Sequence, residues 1–364
     1  MITWYANHRD PEWACDSPPE SAVAFHRALE GYTATPLVEL PQLAVELGVG
    51  HVVVKDESLR LGLPAFKALG ASWAVHRALE GREDVGPMTV VTATDGNHGR
   101  AVARFSRLLG HNASIVIPAG VSRTAVDAIR GEGAEVTAVD GSYDDAVATA
   151  ARLCEEIGGV LVQDMAWEGY EEVPGWIVEG YATLFSEADE QLMLAGMGRP
   201  DVVLVPTGVG SLLQAALAHY RGHRAEPGTA VVSVEPEVAA CVAPSLIAGK
   251  PVTVETGITV MAGLNCGTPS SLAWPYIEHG LDAAVAISER ADIQAAHDLA
   301  ALGITSGPCG AASLAAARLA LTGEGSEDRR RHLGVNGDSI ILLVVTEGSA
   351  ANPVPALEDL TAAT

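Results

Sequence analysis

Short runs of β-branched and aliphatic residues alternate along this chain with alanine-rich segments of helical spacing, and that alternation limits the folds open to it. HVVVK at 51–55, TVVTAT at 89–94, ASIVIPA at 113–119 and AEVTAVD at 134–140 read as strands. So do DVVLVPT at 201–207, AVVSVEP at 230–236 and SIILLVVTEG at 339–348. Helical patterns fill 66–79, 99–110 and 123–133, the last stopped by glycine. Continuous apolar strands separated by helices predict an α/β fold, with open, mostly parallel, twisted sheets flanked by helices.

At 364 residues the chain suits two domains better than one core. The stretch 187–201, EADEQLMLAGMGRPD, is polar, ends in turn residues and precedes a new strand. The predicted division is a smaller α/β domain over 70–180, inserted in a larger one made of 1–69 and 181–364. The active site is then expected in the cleft between them. Segment 323–338 reads as a solvated surface connection, and its RRR as a charged helix face.

The formal charge of −24 argues against nucleic acid and against an anionic membrane as partners, since both would repel the chain. Five scattered cysteines without CxxC spacing support neither a zinc site nor a disulfide framework, and a reduced, cytoplasmic setting is the expectation. No window reaches the ~18 uninterrupted apolar residues of a membrane span.

Chemistry concentrates in four places. The chain has three lysines, Lys55, Lys67 and Lys250. Lys67 stands between Phe66 and a run of small and apolar residues, whereas Lys55 follows a strand and Lys250 sits in a turn. A lysine in apolar surroundings loses the stabilisation of its ammonium form and becomes a usable amine nucleophile, as Schiff-base chemistry requires. A lysine snorkelling from the first turn of a helix has the same signature. PTGVGSLLQAA at 206–216 takes a strand through a glycine loop into a helix, which suits a phosphate; a plain tight turn reads alike. TATDGNHGRAVA at 92–103 places Asp95, Asn97 and His98 at the C-terminal end of a strand, the edge where open α/β sheets bind ligands. Asp95 could equally cap a helix there. TSGPCGAASLAAARLA at 305–320 puts Cys309 at the start of a helix, where a thiol can hydrogen-bond a ligand or simply fill a small buried space. Together these are an aldehyde-trapping lysine, a phosphate cradle, polar groups for a ring and a partner for a ring nitrogen. That set fits pyridoxal 5'-phosphate.

The order AFK, DGNHG, GVGS, CGAA resembles the fold-type II pyridoxal-phosphate enzymes, the tryptophan-synthase-β-like group. Within it, VKDESLRLGLPAFKALGAS, TATDGNHGRAVA, VQDMAWEGYEEVPGWIVEGYATL, TVMAGLNCGTPSSLAWPYI and VVTEG are most similar to diaminopropionate ammonia-lyases. The resemblance implies that Lys67 forms the Schiff base with the cofactor. It implies that Asn97 bonds the ring hydroxyl, that Gly208, Val209, Gly210, Ser211 and Leu212 hold the phosphate, and that Cys309 faces the ring nitrogen. A thiol there would leave that nitrogen largely unprotonated. Asp95, where dehydratases and cysteine synthases carry Ser or Thr, resembles the ammonia-lyases. A carboxylate opposite Lys67 would give the site two bases, Lys67 for the L isomer and Asp95 for the D isomer, and would attract a second substrate ammonium. Asp164 is another candidate for that attraction. The resembled activity is elimination of ammonia from 2,3-diaminopropionate to give pyruvate, by a cytoplasmic homodimer. A departure is SGPCG at 306–310, where the ammonia-lyases carry SGESG. It leaves a serine/threonine-type dehydratase or a β-replacement enzyme on a related amino acid as the alternative, and a non-catalytic cofactor-binding protein as a third reading.

Overall fold

The computed structural model describes residues 2–82, 86–94, 96–223 and 228–358. Among these residues the strands form two sheets. The larger has seven strands in the order β1 (Trp4–Ala6), β10 (Ala283–Ile287), β9 (Ala230–Pro236), β8 (Val202–Pro206), β11 (Ile340–Val345), β3 (His51–Asp56) and β2 (Leu37–Glu39). Its five inner strands are parallel, and the short edge strands β1 and β2 run antiparallel to their neighbours. The smaller sheet is wholly parallel, in the order β6 (Glu135–Ala138), β5 (Asn112–Ile117), β4 (Thr89–Ala93) and β7 (Val160–Leu161). The larger sheet draws its strands from residues 4–56 and 202–345, and the smaller from 89–161. The strands expected at 51–55, 89–94, 201–207, 230–236 and 339–348 lie on β3, β4, β8, β9 and β11.

Period-two alternation sends successive residues of each central strand to opposite faces. Val53, Val203, Val205, Leu342 and Val344 pack into one core with Val90 and Ile115 of the smaller sheet. That shared core is filled by α3 (Lys67–Leu79), α4 (Asn97–Leu108), α7 (Glu172–Leu194) and α8 (Ser211–Arg221). Val52, Val54, Val202, Leu204, Ile341 and Leu343 face the other way, onto α2 (Pro41–Leu47), α11 (Glu289–Ala301) and α12 (Pro308–Leu321). Val91, Ala93 and Val116 form a third cluster with α6 (Tyr143–Ile157). Both sheets are therefore covered on both faces, as their apolar strands require.

Three expectations are corrected. The polar stretch from 187 is helix as far as Leu194, because α7 continues through it. Ala188 and Leu192 keep the apolar stripe of Leu184 and Phe185 going, and Glu187 is buried against cations that sequence order does not show. Lys55, not Lys67, is the fully buried lysine. Its ammonium is held by Glu187 Oε2 at 2.7 Å, Thr35 O at 2.8 Å and Gln191 Oε1 at 2.9 Å. The segment 323–338 contains α13 (Ser326–Leu333), and its arginines reach beyond a solvated face. Arg330 donates to Leu47 O and Gly48 O at the end of α2, and Arg329 to Ala320 O and Thr322 O at the end of α12. No helix among the described residues is long and apolar enough to cross a membrane.

Candidate active site

Lys67 opens α3, at the end of a loop that leaves the C-terminal edge of β3. The loop is pinned from below by a buried charge cluster. Arg60 donates to Glu57 Oε2 at 2.8 Å and to Glu187 Oε1 at 2.7 Å, with Lys55 on the same Glu187 carboxylate. Burial raises the cost of that charge, but Arg60 and Lys55 hold the Glu187 carboxyl down at about 2. Arg60 and Leu63 exchange both backbone hydrogen bonds, which closes the loop tightly before Lys67. The lysine stem then runs between aromatic walls, with Nζ 5.6 Å from the Phe66 ring centre and 5.9 Å from that of Tyr181.

Lys67 is partly open, its side chain 27% exposed, and Nζ donates to Asp164 Oδ2 at 2.9 Å. The buried setting expected for this amine is therefore a half-open one with a carboxylate partner. Asp164 follows β7 at the C-terminal edge of the smaller sheet. Tyr143 OH and Gln163 Nε2 each lie 3.4 Å from its Oδ1, and His98 Nδ1 is 3.9 Å from its Oδ2. His98 donates through Nε2 to Val162 O at 2.9 Å, which turns Nδ1 toward the carboxylate. Burial alone would push the Asp164 carboxyl up, but the Lys67 ammonium and His98 hold it well below the usual carboxylate range.

A second link joins the two sheets at the same edge. Asn97, the first residue of α4, donates from Nδ2 to Glu347 Oε2 at 3.0 Å. Glu347 lies two residues beyond the end of β11, and two further segments converge on Thr346 and Glu347. Ala65 forms a bridge with it, Phe66 N donates to Thr346 O at 3.0 Å, and Gly307 N donates to Glu347 O at 2.9 Å. Cys309, in the first turn of α12, lies with its thiol against the Glu347 carboxylate. Burial and then the charge of Glu347 push that thiol well above its ordinary value, so it stays neutral. Lys67, Asn97 and Cys309 thus come together, through a glutamate that sequence reading left without a role. The signal was present: an acidic residue two positions beyond a central apolar strand falls on the ligand-binding edge.

The loop after β8 is built as the sequence suggests. Gly210 caps α8 at φ +105°, a conformation that favours glycine, and no side chain caps the helix amides. A methyl group on Gly208 would lie 2.9 Å from Gly263 O and 3.1 Å from Cys266 Sγ. Gly208, Val209, Gly210, Ser211 and Leu212 form a backbone cradle at a helix N-terminus, which fits a phosphate. The adjoining segment 261–264 reaches the thiol as well, since a methyl on Gly263 would lie 3.4 Å from Cys309 Sγ. Asp95 lies outside the described residues. Lys250 is exposed beyond α9 (Val242–Ala248) and takes no part. A reachable amine at Lys67 and a glycine-walled cradle of backbone amides at the N-terminus of α8, uncapped by any side chain, fit pyridoxal phosphate.

Comparison with known proteins gives the family. Residues 28–337 match the family model "Pyridoxal-phosphate dependent enzyme". A diaminopropionate ammonia-lyase of Salmonella typhimurium is 40% identical over 277 residues, 70% of this chain and 69% of that protein. One of Escherichia coli is 36% identical over 356 residues, 91% of this chain and 88% of that protein. A crystal structure of the Escherichia coli diaminopropionate ammonia lyase, in complex with an aminoacrylate-PLP azomethine reaction intermediate, superposes with a TM-score of 0.86. The sequences are 33% identical in that match, which covers 95% of this chain and 94% of the other. The fold is therefore that of the fold-type II pyridoxal-phosphate enzymes, and the chain belongs to the pyridoxal-phosphate dependent enzymes, in the family of the diaminopropionate ammonia-lyases.

Proposed function

We propose that this chain is a carbon–nitrogen lyase that converts 2,3-diaminopropionate and water to pyruvate and two molecules of ammonia. The observation that carries the reading is the Lys67–Asp164 pair, an amine 2.9 Å from a carboxylate with a strongly depressed pKa. Pyridoxal phosphate, when bound, supplies an aldehyde for amine exchange and an electron sink for the α-carbon.

The chain's own residues do the rest. Residues 208–212 and the N-terminus of α8 hold the phosphate, and Asn97 orients the ring hydroxyl. Lys67 Nζ takes the α-proton of the L isomer and is the nearby acid for the departing β-amine. Asp95 takes the α-proton of the D isomer. Asp164, which holds the Lys67 ammonium in this structure, would receive the substrate's second ammonium. The two sheets correspond to two domains, 70–180 and the remainder, with the site at their facing C-terminal edges. The working form is a homodimer in the cytoplasm.

The test is pyruvate formation by the cofactor-loaded protein with D-diaminopropionate, L-diaminopropionate and L-serine side by side. Diaminopropionate is expected to be the better substrate, with Lys67→Ala inactive on both isomers and Asp95→Asn impaired mainly on D. Preference for serine would move the reading to a hydroxy amino acid dehydratase. Equal losses on both isomers in Asp95→Asn would end the division between two bases.

A further inference from the structure

Tyr181 lies on α7, fully buried in the wall beside Lys67. Its ring has one seat. A methyl group on Gly70, three residues after Lys67 on α3, would lie 2.5 Å from Tyr181 Cε1 and 2.8 Å from its Cζ, so a glycine is needed there to admit the ring. Phe66 packs on the same ring, with centres 4.6 Å apart. Lys67 Nζ stands 5.9 Å from the centre of the Tyr181 ring.

The hydroxyl is thereby held beside the Lys67–Asp164 pair. Burial pushes the phenol up to about 12, the Lys67 ammonium draws it down, and the Asp164 carboxylate adds to the rise. The hydroxyl is therefore uncharged at neutral pH. It lies loosely against the amine, short of a full hydrogen bond to Lys67 or to any other described residue. A buried tyrosine ordinarily finds a partner, and leaving its hydroxyl without a full bond is unfavourable. Phenylalanine would fill the same seat without that penalty. A partner that changes position explains the hydroxyl.

Lys67 is such a partner. Its ammonium now donates to Asp164 Oδ2, while Tyr143 OH and Gln163 Nε2 face Oδ1 and His98 Nδ1 faces Oδ2. The reading above gives that carboxylate to the substrate's second ammonium. The amine then loses its charged partner, and the Tyr181 oxygen is placed to accept an Nζ hydrogen instead. An acceptor on the N–H side leaves the nitrogen lone pair free to move a proton.

We propose that Tyr181 is a positioning residue for Lys67, its ring a wall for the stem and its hydroxyl the acceptor that holds Nζ when Asp164 turns to a second ammonium. The inference rests on the proposed function above.

The experiment has two parts, and the inference needs both. The first uses the cofactor-free chain and acetic anhydride, with acetylation of Lys67 followed by peptide mass spectrometry and the exposed Lys250 as internal standard. In the Asp164→Asn background, Tyr181→Phe is expected to speed acetylation at least about threefold, as for one lost hydrogen bond. In the wild-type background, where the carboxylate still holds the amine, the change is expected to be smaller. No change, or the same change in both backgrounds, overturns the inference. The second part uses the holoenzyme. Tyr181→Phe is expected to lower kcat on L-diaminopropionate roughly tenfold, and to lower it less on L-serine, which leaves Asp164 to the lysine. An equal loss on both substrates, or no loss, overturns the inference. So does a clearly lower melting temperature for Tyr181→Phe, which would make the hydroxyl a contact of the fold. A wild type that does not turn over diaminopropionate defeats the functional reading and the exchange at Asp164 with it, and the acetylation rates then show separately whether Tyr181 holds the amine.

Discussion

Gly70 and Gly180 meet backbone to backbone where α3 crosses α7: a methyl group on Gly180 would lie 2.9 Å from Gly70 Cα and 2.6 Å from Leu69 O. The crossing lies three residues from Lys67, so it sets where the amine stands. Gly180→Ala must push the helices apart. We expect a loss of about 1–3 kcal/mol from overpacking. Thermal denaturation and pyruvate formation should fall together; unchanged activity in a destabilised variant would separate the crossing from the amine's position.

Asp164→Asn removes the counter-charge of Lys67 and the proposed seat of a second substrate ammonium. Its kcat/KM for diaminopropionate should drop by at least ~100-fold, about 2.7 kcal/mol of lost transition-state stabilisation. Its kcat/KM for L-serine, which has no second amine, should drop less. Equal losses on the two substrates would reduce Asp164 to a partner of the lysine.

Gly210→Ala strains a backbone at φ +105° and drives a methyl to within 2.9 Å of Ala273 Cβ. The cradle amides then tilt away from the phosphate. Titration of the apoprotein with pyridoxal phosphate should show affinity weakened roughly tenfold or more, about 1.4 kcal/mol. An unchanged dissociation constant would place the phosphate elsewhere.

His26, on α1 (Glu20–Ala28), is buried between Thr183 Oγ1 at 2.7 Å and Leu69 O at 3.0 Å, tying α1 to α7 and α3. Burial, the largest influence, lowers it from 6.5 to about 4. Between those values the unfolded chain binds the proton and the folded chain does not, so stability is complete above about 6.5 and is lost as pH falls to about 4. The loss is on the order of 3 kcal/mol at 1.36 kcal/mol per unit. Denaturant midpoints measured from pH 7 to 4 should show that slope, and His26→Gln, which cannot titrate, should flatten it.

Glu187→Gln leaves Arg60 and Lys55 buried with one carboxylate fewer, and should cost about 3–5 kcal/mol at neutral pH. Because the folded carboxyl is depressed to about 2 from 4.5, its contribution stands above 4.5 and fades as pH falls toward about 2. The stability gap between wild type and variant, followed by denaturation, should therefore close in acid. A constant gap would mean that shape, not charge, is what the site needs.

Much of this was legible in local pattern. Strand-to-helix alternation, glycine at turns and a lysine beside small residues are properties of a few consecutive positions, and they located β3, β4, β8, β9, β11, the glycine loop that opens α8 and the lysine that opens α3. What failed was any judgement that depends on distant partners. Lys55 looked ordinary because its acceptors, Thr35 O, Glu187 and Gln191, come from two other segments. The stretch after 187 looked like a boundary because its charges could not be seen to be paired.

The sequence by itself determined the class of fold and the cofactor, and it singled out Lys67 and the glycine loop at 208–212 as candidates, since these are carried by short motifs with their own backbone chemistry. Only the tertiary structure decided what surrounds them. Asn97 and Glu347 are 250 positions apart and share a hydrogen bond because two sheets present their C-terminal edges to each other. Lys67 and Asp164 are 97 apart and form an ion pair for the same reason. Such pairings follow from the packing of whole sheets around shared helices, and no spacing along the chain encodes them.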